Sequence, residues 1–526
     1  MRHRLLSFVS AGLVAAWCAP CTRAADAPGP RISVWFDSNV RATPASGRLV
    51  VYLLRPDAKV GKASPADAPF FDDPQPCFGV DVIKLAPGEK AVVDDSATSF
   101  PVALGRLPKG TYKAQAVLDL NSEHSDWQRE PGNLYSEIVT FSTDPADPPS
   151  EPLEIALTKV IEPEVPVATD GFEYFEITSA LLSEFHGRPI KLRAGVVLPL
   201  GRKAGGMYAA VYEIPGYGGD WRTARMVARF RNPTRMSPEE QTLWGNCYRI
   251  VLDAESGNGH TLWANSINNG PWATALVSEF IPALEKQFNL IARPEARLLT
   301  GHSSGGWSSL WLQLNYPDFF GGAWSGSPDP VDFRRFQRTN IYAASNMYSA
   351  GDPAAELPSY TSLAGEVRMT VRTENLVEEV IGSDNTSGQQ WDSWQAAFGP
   401  KGPGGHAAAL YDPVSGAIDR SVAEQYRKYD ISDLLRKYPD RFGAVLRDKV
   451  RLVVGDRDNY GLNEAVQLLK QELEGILRGA TPAPTSGRGY IKVLPGDHGT
   501  VMGHPEYRRK WIEMELQLQT SGVIAK

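Results

Sequence analysis

Ala296-Arg297-Leu298-Leu299-Thr300-Gly301-His302-Ser303-Ser304-Gly305-Gly306-Trp307 is a short apolar run that enters G-x-S-x-G. That order of residues describes a nucleophile elbow, a sharp strand-to-helix reversal that leaves a serine exposed at its apex. Glycines flank the serine because a side chain at either place would collide with the adjoining strand or helix. The following run, Gly305 to Asn315, has helical character and stops at Tyr316-Pro317, where proline cannot continue a helix. The stretch therefore predicts strand, elbow and helix, with Ser303 as candidate nucleophile and the Ser304 backbone N–H as one oxyanion donor.

A serine nucleophile needs a histidine to take its proton and a carboxylate to fix that histidine's tautomer, and behind such an elbow they follow in the order Ser, Asp/Glu, His. Asp456 and Asp458 follow the apolar run Arg451–Gly455, and His498 follows the run Tyr490–Leu494. Both lie at the carboxyl ends of predicted strands, where open α/β sheets bind their ligands. Asp458 is the expected acid. Asp456, first in its turn, is suited to tying the loop through backbone N–H groups, and it stands as the alternative acid. His498 is the expected base, and His504, opening the last helix, is the lesser candidate. The second oxyanion donor is expected in Pro215-Gly216-Tyr217-Gly218-Gly219, after the strand ending at Ile214, with Tyr217 as the chosen residue.

Working outward, Ile190–Leu198, Met207–Ile214, Tyr248–Leu252, Leu298–Gly301, Gly321–Ser325, Val450–Val454 and Tyr490–Leu494 alternate with helical runs, the pattern of a mostly parallel α/β sheet over residues 170–526. One of these helices, Pro271–Phe288, carries Trp272, Leu276, Phe280, Leu284 and Phe288 at a spacing of four, with a kink expected at Pro282 and a cap from Asn268 or Asn269. Residues 330–449 break the alternation and read as an insertion that caps the site. Residues 30–161 hold only short β-prone runs between Pro, Gly and Asp clusters, the spacing of a smaller all-β sandwich. No cluster of histidines and acids stands out there, so the region is expected to pack on the second domain or to bind a ligand or partner. Trp35 and Trp127 are read as core residues ahead of sugar platforms. The proline-rich Glu162-Pro163-Glu164-Val165-Pro166 marks the joint.

Residues 1–24 read as a secretory signal, with Arg2 and Arg4 before an apolar core and Thr22-Arg23-Ala24 as the cleavage site. The apolar run is shorter than the roughly 20 residues that span a bilayer, so a secreted or periplasmic protein without a membrane anchor is expected. Cleavage would remove Arg2, Arg4 and Arg23 and shift the formal charge from −7 to −10, which makes nucleic acid an unsuitable partner. Of four cysteines only Cys77 and Cys247 would remain, too few for a cysteine metal cluster. They could form one disulfide or stay as two buried thiols.

Gly301-His302-Ser303-Ser304-Gly305-Gly306, Tyr316-Pro317-Asp318-Phe319-Phe320-Gly321, Gly455-Asp456-Arg457-Asp458 and Gly496-Asp497-His498 together resemble the "putative esterase" family of α/β hydrolases, which includes enterochelin, esterase D, feruloyl and acetylxylan esterases and mycolyltransferases. The resemblance spans about residues 170 to 520. Ala264–Trp272 also resembles exported members with a leading β domain. The resemblance implies an α/β-hydrolase fold with Ser303 as nucleophile, Asp458, matching G-x-x-D, as acid, and His498 as base. It further implies a carboxylic-ester hydrolase needing neither metal nor organic cofactor, with carbohydrate-linked acetyl or feruloyl esters as the expected substrates. An acyltransferase using the same triad, or a binding protein with an inactive hydrolase domain, are the alternatives.

Overall fold

The computed structural model describes residues 29–70, 72–120, 123–351, 355–479 and 488–525. The expected signal segment, 1–24, lies outside them. In the amino-terminal region the expected runs form strands Ile32–Phe36, Ala45–Leu54, Gly110–Asp119 and Leu153–Val160, and the run near 135–141 splits into Leu134–Ser136 and Val139–Thr143. Cys77–Leu85, Ala91–Val93 and Thr98–Phe100 are strands not anticipated from sequence. All belong to one nine-stranded sheet. Val34, Phe36, Leu49, Val51, Phe78, Leu118 and Leu157, from edge and centre alike, share one core, so the sheet bends over on itself and buries its inner face in the manner of a sandwich.

The second sheet has eight strands, labelled here β1 (Phe172–Ser179), β2 (Ile190–Val197), β3 (Ala209–Ile214), β4 (Cys247–Leu252), β5 (Arg297–His302), β6 (Gly322–Gly326), β7 (Val450–Gly455) and β8 (Tyr490–Leu494). Their order is β1-β2-β4-β3-β5-β6-β7-β8. β1, β2 and β4 pair antiparallel, and every pair from β4 onward is parallel. β1 was not read from the sequence because its alternate residues are half exposed at the sheet edge. The mostly parallel α/β-hydrolase sheet after an all-β region is thus present. β5 is buried from Arg297 to Gly301 because helices cover both faces of the sheet.

The helix after the 264–271 loop runs as Trp272–Ala275, a π-turn at Leu276–Phe280 and Ile281–Phe288. The wide turn sits just ahead of Pro282, which has no N–H to give to the ladder. Neither expected asparagine caps this helix. Asn268 instead donates to the carbonyls of Ala396 and Gly399, and Asn265 Oδ1 accepts the Thr274 N–H at 3.0 Å.

Residues 330–449 form a hairpin (Pro358–Thr361 with Val367–Thr370) and several helices. Within this insertion Phe336, Trp391, Trp394 and Phe398 pack in one core with Trp307 and Trp311 of the elbow helix α1 (Ser304–Asn315). The insertion is therefore built onto the elbow helix and is not a loose cover. Its helix α2 (Val371–Ile381) lays Val377 and Val380 against Val50, Tyr52 and Val117 on the outer face of the amino-terminal sheet. Arg48, buried, donates from Nε to the Val380 carbonyl at 2.9 Å and from a terminal nitrogen to the Glu379 carbonyl at 3.2 Å. A cation so placed satisfies the orphan carbonyls at a helix C-terminus and complements its dipole.

Cys77 and Cys247 are both buried free thiols. Of the two readings left open by the sequence, the disulfide is overturned: Cys77 lies in the first sheet, whereas Cys247 starts β4 of the second. Trp127 packs against Tyr135 with ring centroids 5.4 Å apart, which makes it a packing residue.

Replacing Arg48 by Ala should strand the Glu379 and Val380 carbonyls at the junction and cost about 1.5–3 kcal/mol, the range for hydrogen bonds to charged groups. Chemical denaturation followed by tryptophan fluorescence checks this, since Trp127 and Trp391 lie on the two sides of the contact.

Candidate active site

Ser303 stands between β5 and α1 with φ 59° and ψ −127°, a conformation that a side chain adopts only under constraint. The turn closes because its neighbours are glycines. A Cβ on Gly301 would lie 2.0 Å from the Gly305 carbonyl oxygen, and one on Gly305 would lie 1.9 Å from that of Ile214. The Ser303 N–H donates to the Gly326 carbonyl at 3.0 Å, which pins the apex to the end of β6.

Asp458, after β7, and His498, after β8, come to the same end of the sheet. His498 Nδ1 is 2.8 Å from Asp458 Oδ2, and the Asp458 side chain is fully buried. Asp458 Oδ1 accepts the Tyr460 N–H at 3.0 Å, and the His498 N–H donates to Asn459 Oδ1 at 3.0 Å. Asp456 does something else: its Oδ1 accepts the Gly496 N–H at 3.0 Å and so joins the β7 loop to the β8 loop. His504 caps a short helix, its Nδ1 accepting the Glu506 N–H at 3.1 Å.

Ser303 and His498 open onto one cavity of about 610 Å³. Gly216 and Tyr217, Asp329, and Glu374, Gln389 and Trp394 of the insertion line it, as do Phe70 and Asp72 of the amino-terminal region. Apart from His498 and His302 the titratable groups on its wall are carboxyls and tyrosines. Burial pushes Asp329 up to about 6 against its hydrogen bonds, including one from Trp394 Nε1 at 2.7 Å. Burial likewise raises Glu374 and Glu378. With no guanidinium or ammonium on this wall among the described residues, an anionic ligand finds no cation to pair with.

Two buried histidines escaped the sequence reading. His260 Nδ1 accepts the Leu262 N–H at 3.1 Å, so its Nε2 carries the proton and donates to the Pro215 carbonyl at 3.1 Å. Burial lowers it to about 4, which keeps it neutral while it holds the Tyr217 loop. His302, whose ring centroid is 4.6 Å from that of His498, is lowered to about 3 by burial and by its cationic neighbours, and contacts the Tyr507 hydroxyl at 3.2 Å. His260 carries no motif and His302 fills a variable position of G-x-S-x-G, so each is identified only by its partner in space.

A histidine–acid cluster does form across the junction of the two regions, although the amino-terminal region by itself supplies only its histidine. His124 Nε2 lies 3.7 Å from Asp220 Oδ2, and the Ser125 hydroxyl donates to Glu255 Oε2 at 3.0 Å. The cluster draws its members from both regions, so no single stretch displays it. Burial raises Glu255 to about 7. Asp220 also suffers burial, but His124, Arg222 and Arg129 outweigh it and hold the carboxyl low.

Residues 262–403 match the family model described as "Putative esterase". The match bears out the esterase resemblance over that segment, and with it an enzyme of the serine-hydrolase class acting on ester bonds. The segment holds Ser303 and Ser304 but not Tyr217, Asp458 or His498. No curated protein sequence matches the chain. Among solved structures, a ferulic acid esterase aligns at 15% identity over 66% of this chain and 98% of its own, with a TM-score of 0.39. An S-formylglutathione hydrolase from Agrobacterium tumefaciens aligns at 14% over 68% and 96%, TM-score 0.34, and Est1E from Butyrivibrio proteoclasticus at 14% over 68% and 100%, TM-score 0.34. No role assigned below rests on these likenesses.

Glu255 binds its proton more tightly folded than unfolded, so its contribution to stability is full below about pH 4.5 and is lost as pH rises to about 7. Glu255→Gln, which keeps a partner for Ser125, should therefore gain on the order of 1–3 kcal/mol over wild type at pH 8. The gain should vanish near pH 5, and thermal melts at the two pH values check it.

Proposed function

We propose that the chain is an exported esterase that cleaves carboxylic esters through Ser303, His498 and Asp458. The observation that carries this is the 2.8 Å contact of His498 Nδ1 with the buried Asp458 carboxylate, while His498 shares its cavity with Ser303. With Nδ1–H committed to Asp458, His498 Nε2 is the acceptor that faces the serine side. Ser303 Oγ attacks the ester carbonyl as His498 takes its proton. The backbone N–H groups of Tyr217 and Ser304 receive the oxyanion; among the described residues the Tyr217 N–H donates to no backbone carbonyl. Collapse of the tetrahedral intermediate expels the alcohol with the proton from His498, and water then releases the acyl group by the same route. A neutral His302 behind His498 adds no second positive charge to oppose the imidazolium that forms.

The wall of the cavity supports a neutral ester able to donate hydrogen bonds. Gln337 Oε1 on that wall is buried without a partner, and Tyr217, Tyr360, Tyr460 and Trp394 supply aromatic faces. Hydroxyl-bearing alcohols, such as the carbohydrate of an acetyl or feruloyl ester, fit this chemistry. Export rests on the signal-like residues 1–24.

Ser303→Ala should abolish ester hydrolysis and fluorophosphonate labelling without loss of fold, a drop of several powers of ten in kcat. Asp458→Asn should lose about four powers of ten, the effect of a wrong histidine tautomer in a serine protease, and Asp456→Asn should act on stability instead. Equal losses in the two aspartate variants would overturn the assignment of Asp458.

Among p-nitrophenyl esters of four-carbon acids, the succinyl monoester should show kcat/KM at least tenfold below the butyryl ester, because its carboxylate finds no cation on the wall, with the turnover left in Ser303→Ala subtracted from both. The same assays with and without an acceptor alcohol distinguish hydrolysis from acyl transfer.

A further inference from the structure

The loop that carries Tyr217 is Pro215-Gly216-Tyr217-Gly218-Gly219. Three glycines in five residues leave such a chain many backbone states, and fixing each residue costs about 1–2 kcal/mol. An oxyanion donor is effective only when it is aimed before the charge develops, so something outside the loop has to hold it. From the short hairpin Glu255–Ser256/Gly259–His260 that follows β4, His260 holds Pro215. On the far side of Tyr217, the restraint comes from the amino-terminal region.

Residues 123–130 of that region are fixed from within: the fully buried Glu130 accepts the N–H groups of Glu123 and His124 at 2.6 and 2.7 Å. From this base Arg129 donates to the Gly218 carbonyl at 3.0 Å and to Asp220 Oδ2 at 3.1 Å. A second tether runs through the insertion. The Ser125 carbonyl accepts from Gln389 Nε2 at 3.2 Å, and Gln389 Oε1 accepts the Tyr217 hydroxyl at 2.6 Å. Tyr217 is thus fastened by its side chain and by the backbone next to it. Its other neighbour, Gly216, lies against the nucleophile, where a Cβ would stand 3.1 Å from that of Ser303.

We propose that the amino-terminal region is a working part of the active site, with Arg129 as the positioning residue that holds the Tyr217 N–H toward the ester carbonyl. The inference rests on the esterase reading above and on Tyr217 as oxyanion donor. Arg129 touches no substrate. It acts through the Gly218 peptide, and its effect falls on the transition state, where the oxyanion exists, more than on the bound ester. A 1 Å misplacement of such a group is enough for about a hundredfold loss.

The test uses full-length wild type, Arg129→Ala, Arg129→Lys and Ser303→Ala, with p-nitrophenyl acetate and active sites counted by fluorophosphonate titration. Only turnover abolished in Ser303→Ala is scored. Arg129→Ala should lose ten- to a hundredfold in kcat per titrated site with KM within twofold, and its affinity for an arylboronic acid, which mimics the oxyanion, should fall by a similar factor. Arg129→Lys should recover part of both. A role confined to domain cohesion would lower the melting temperature but leave kcat per titrated site at the wild-type value, and that result overturns the proposal while leaving the esterase reading intact. Absence of Ser303-dependent turnover in wild type overturns both. Should Arg129→Ala not fold, Arg129→Lys and Arg129→Gln carry the same comparison, with wild-type kcat in both again overturning it.

Discussion

The strained peptide at Ser303 is the constraint on which the rest depends. Holding a serine at φ 59° costs on the order of 1–3 kcal/mol, and the conformation persists because α1 has no alternative place to go. Every residue from Ser304 to Leu314 is buried. Leu312 faces the core beneath β3 and β5, while Trp307 and Trp311 face the insertion. Burying a large side chain is worth about 1.5–3 kcal/mol, so a helix sunk on both faces outweighs the strain at its first turn. This gives the insertion a structural task as well as a place in the pocket wall: without Phe336, Trp394 and Phe398, one side of α1 would face water.

The site is assembled from three regions that are distant in sequence. The sheet brings Ser303, Asp458 and His498 to one end; the insertion adds Glu374, Gln389 and Trp394; the amino-terminal region adds Phe70, Asp72 and the tethers of the Tyr217 loop. The chemistry is divided accordingly. Ser303, Asp458 and His498 sit on turns that leave parallel strands. Groups that line the cavity come from the segments that differ most from a bare α/β sheet.

Buried ionisable groups follow a consistent pattern of charge. His260 and His302 are held neutral by burial and serve as hydrogen-bonding spacers beside the loop and the base. Acids are concentrated where no cation opposes them within the cavity, and cations are concentrated at the regional junction, where Arg129 and Arg222 surround Asp220. Arg129 thus pairs with Asp220 across the junction, while burial holds the cavity carboxyls toward their neutral form.

The sequence by itself determined the hydrolase sheet and the serine, because G-x-S-x-G, the strand–helix alternation and the loop positions of Asp458 and His498 are local signals set by backbone sterics and burial period. It also identified the insertion, as a break in that alternation. What it did not disclose was the edge strand β1, the extra strands in the amino-terminal sheet, the single bent sheet in place of two, and the free state of Cys77 and Cys247. Those follow from pairing across the chain, which no local period records. The tertiary structure supplies the contact behind the ranking of Asp458 ahead of Asp456: the turn directs Asp458 Oδ2 to 2.8 Å from His498 Nδ1 and Asp456 to the Gly496 N–H. It alone decided that Arg129, Gln389 and His260 converge on the Tyr217 loop: an arginine, a glutamine and a histidine without motif or spacing acquire a role when folding brings their hydrogen-bonding atoms within 3 Å or so of one flexible backbone.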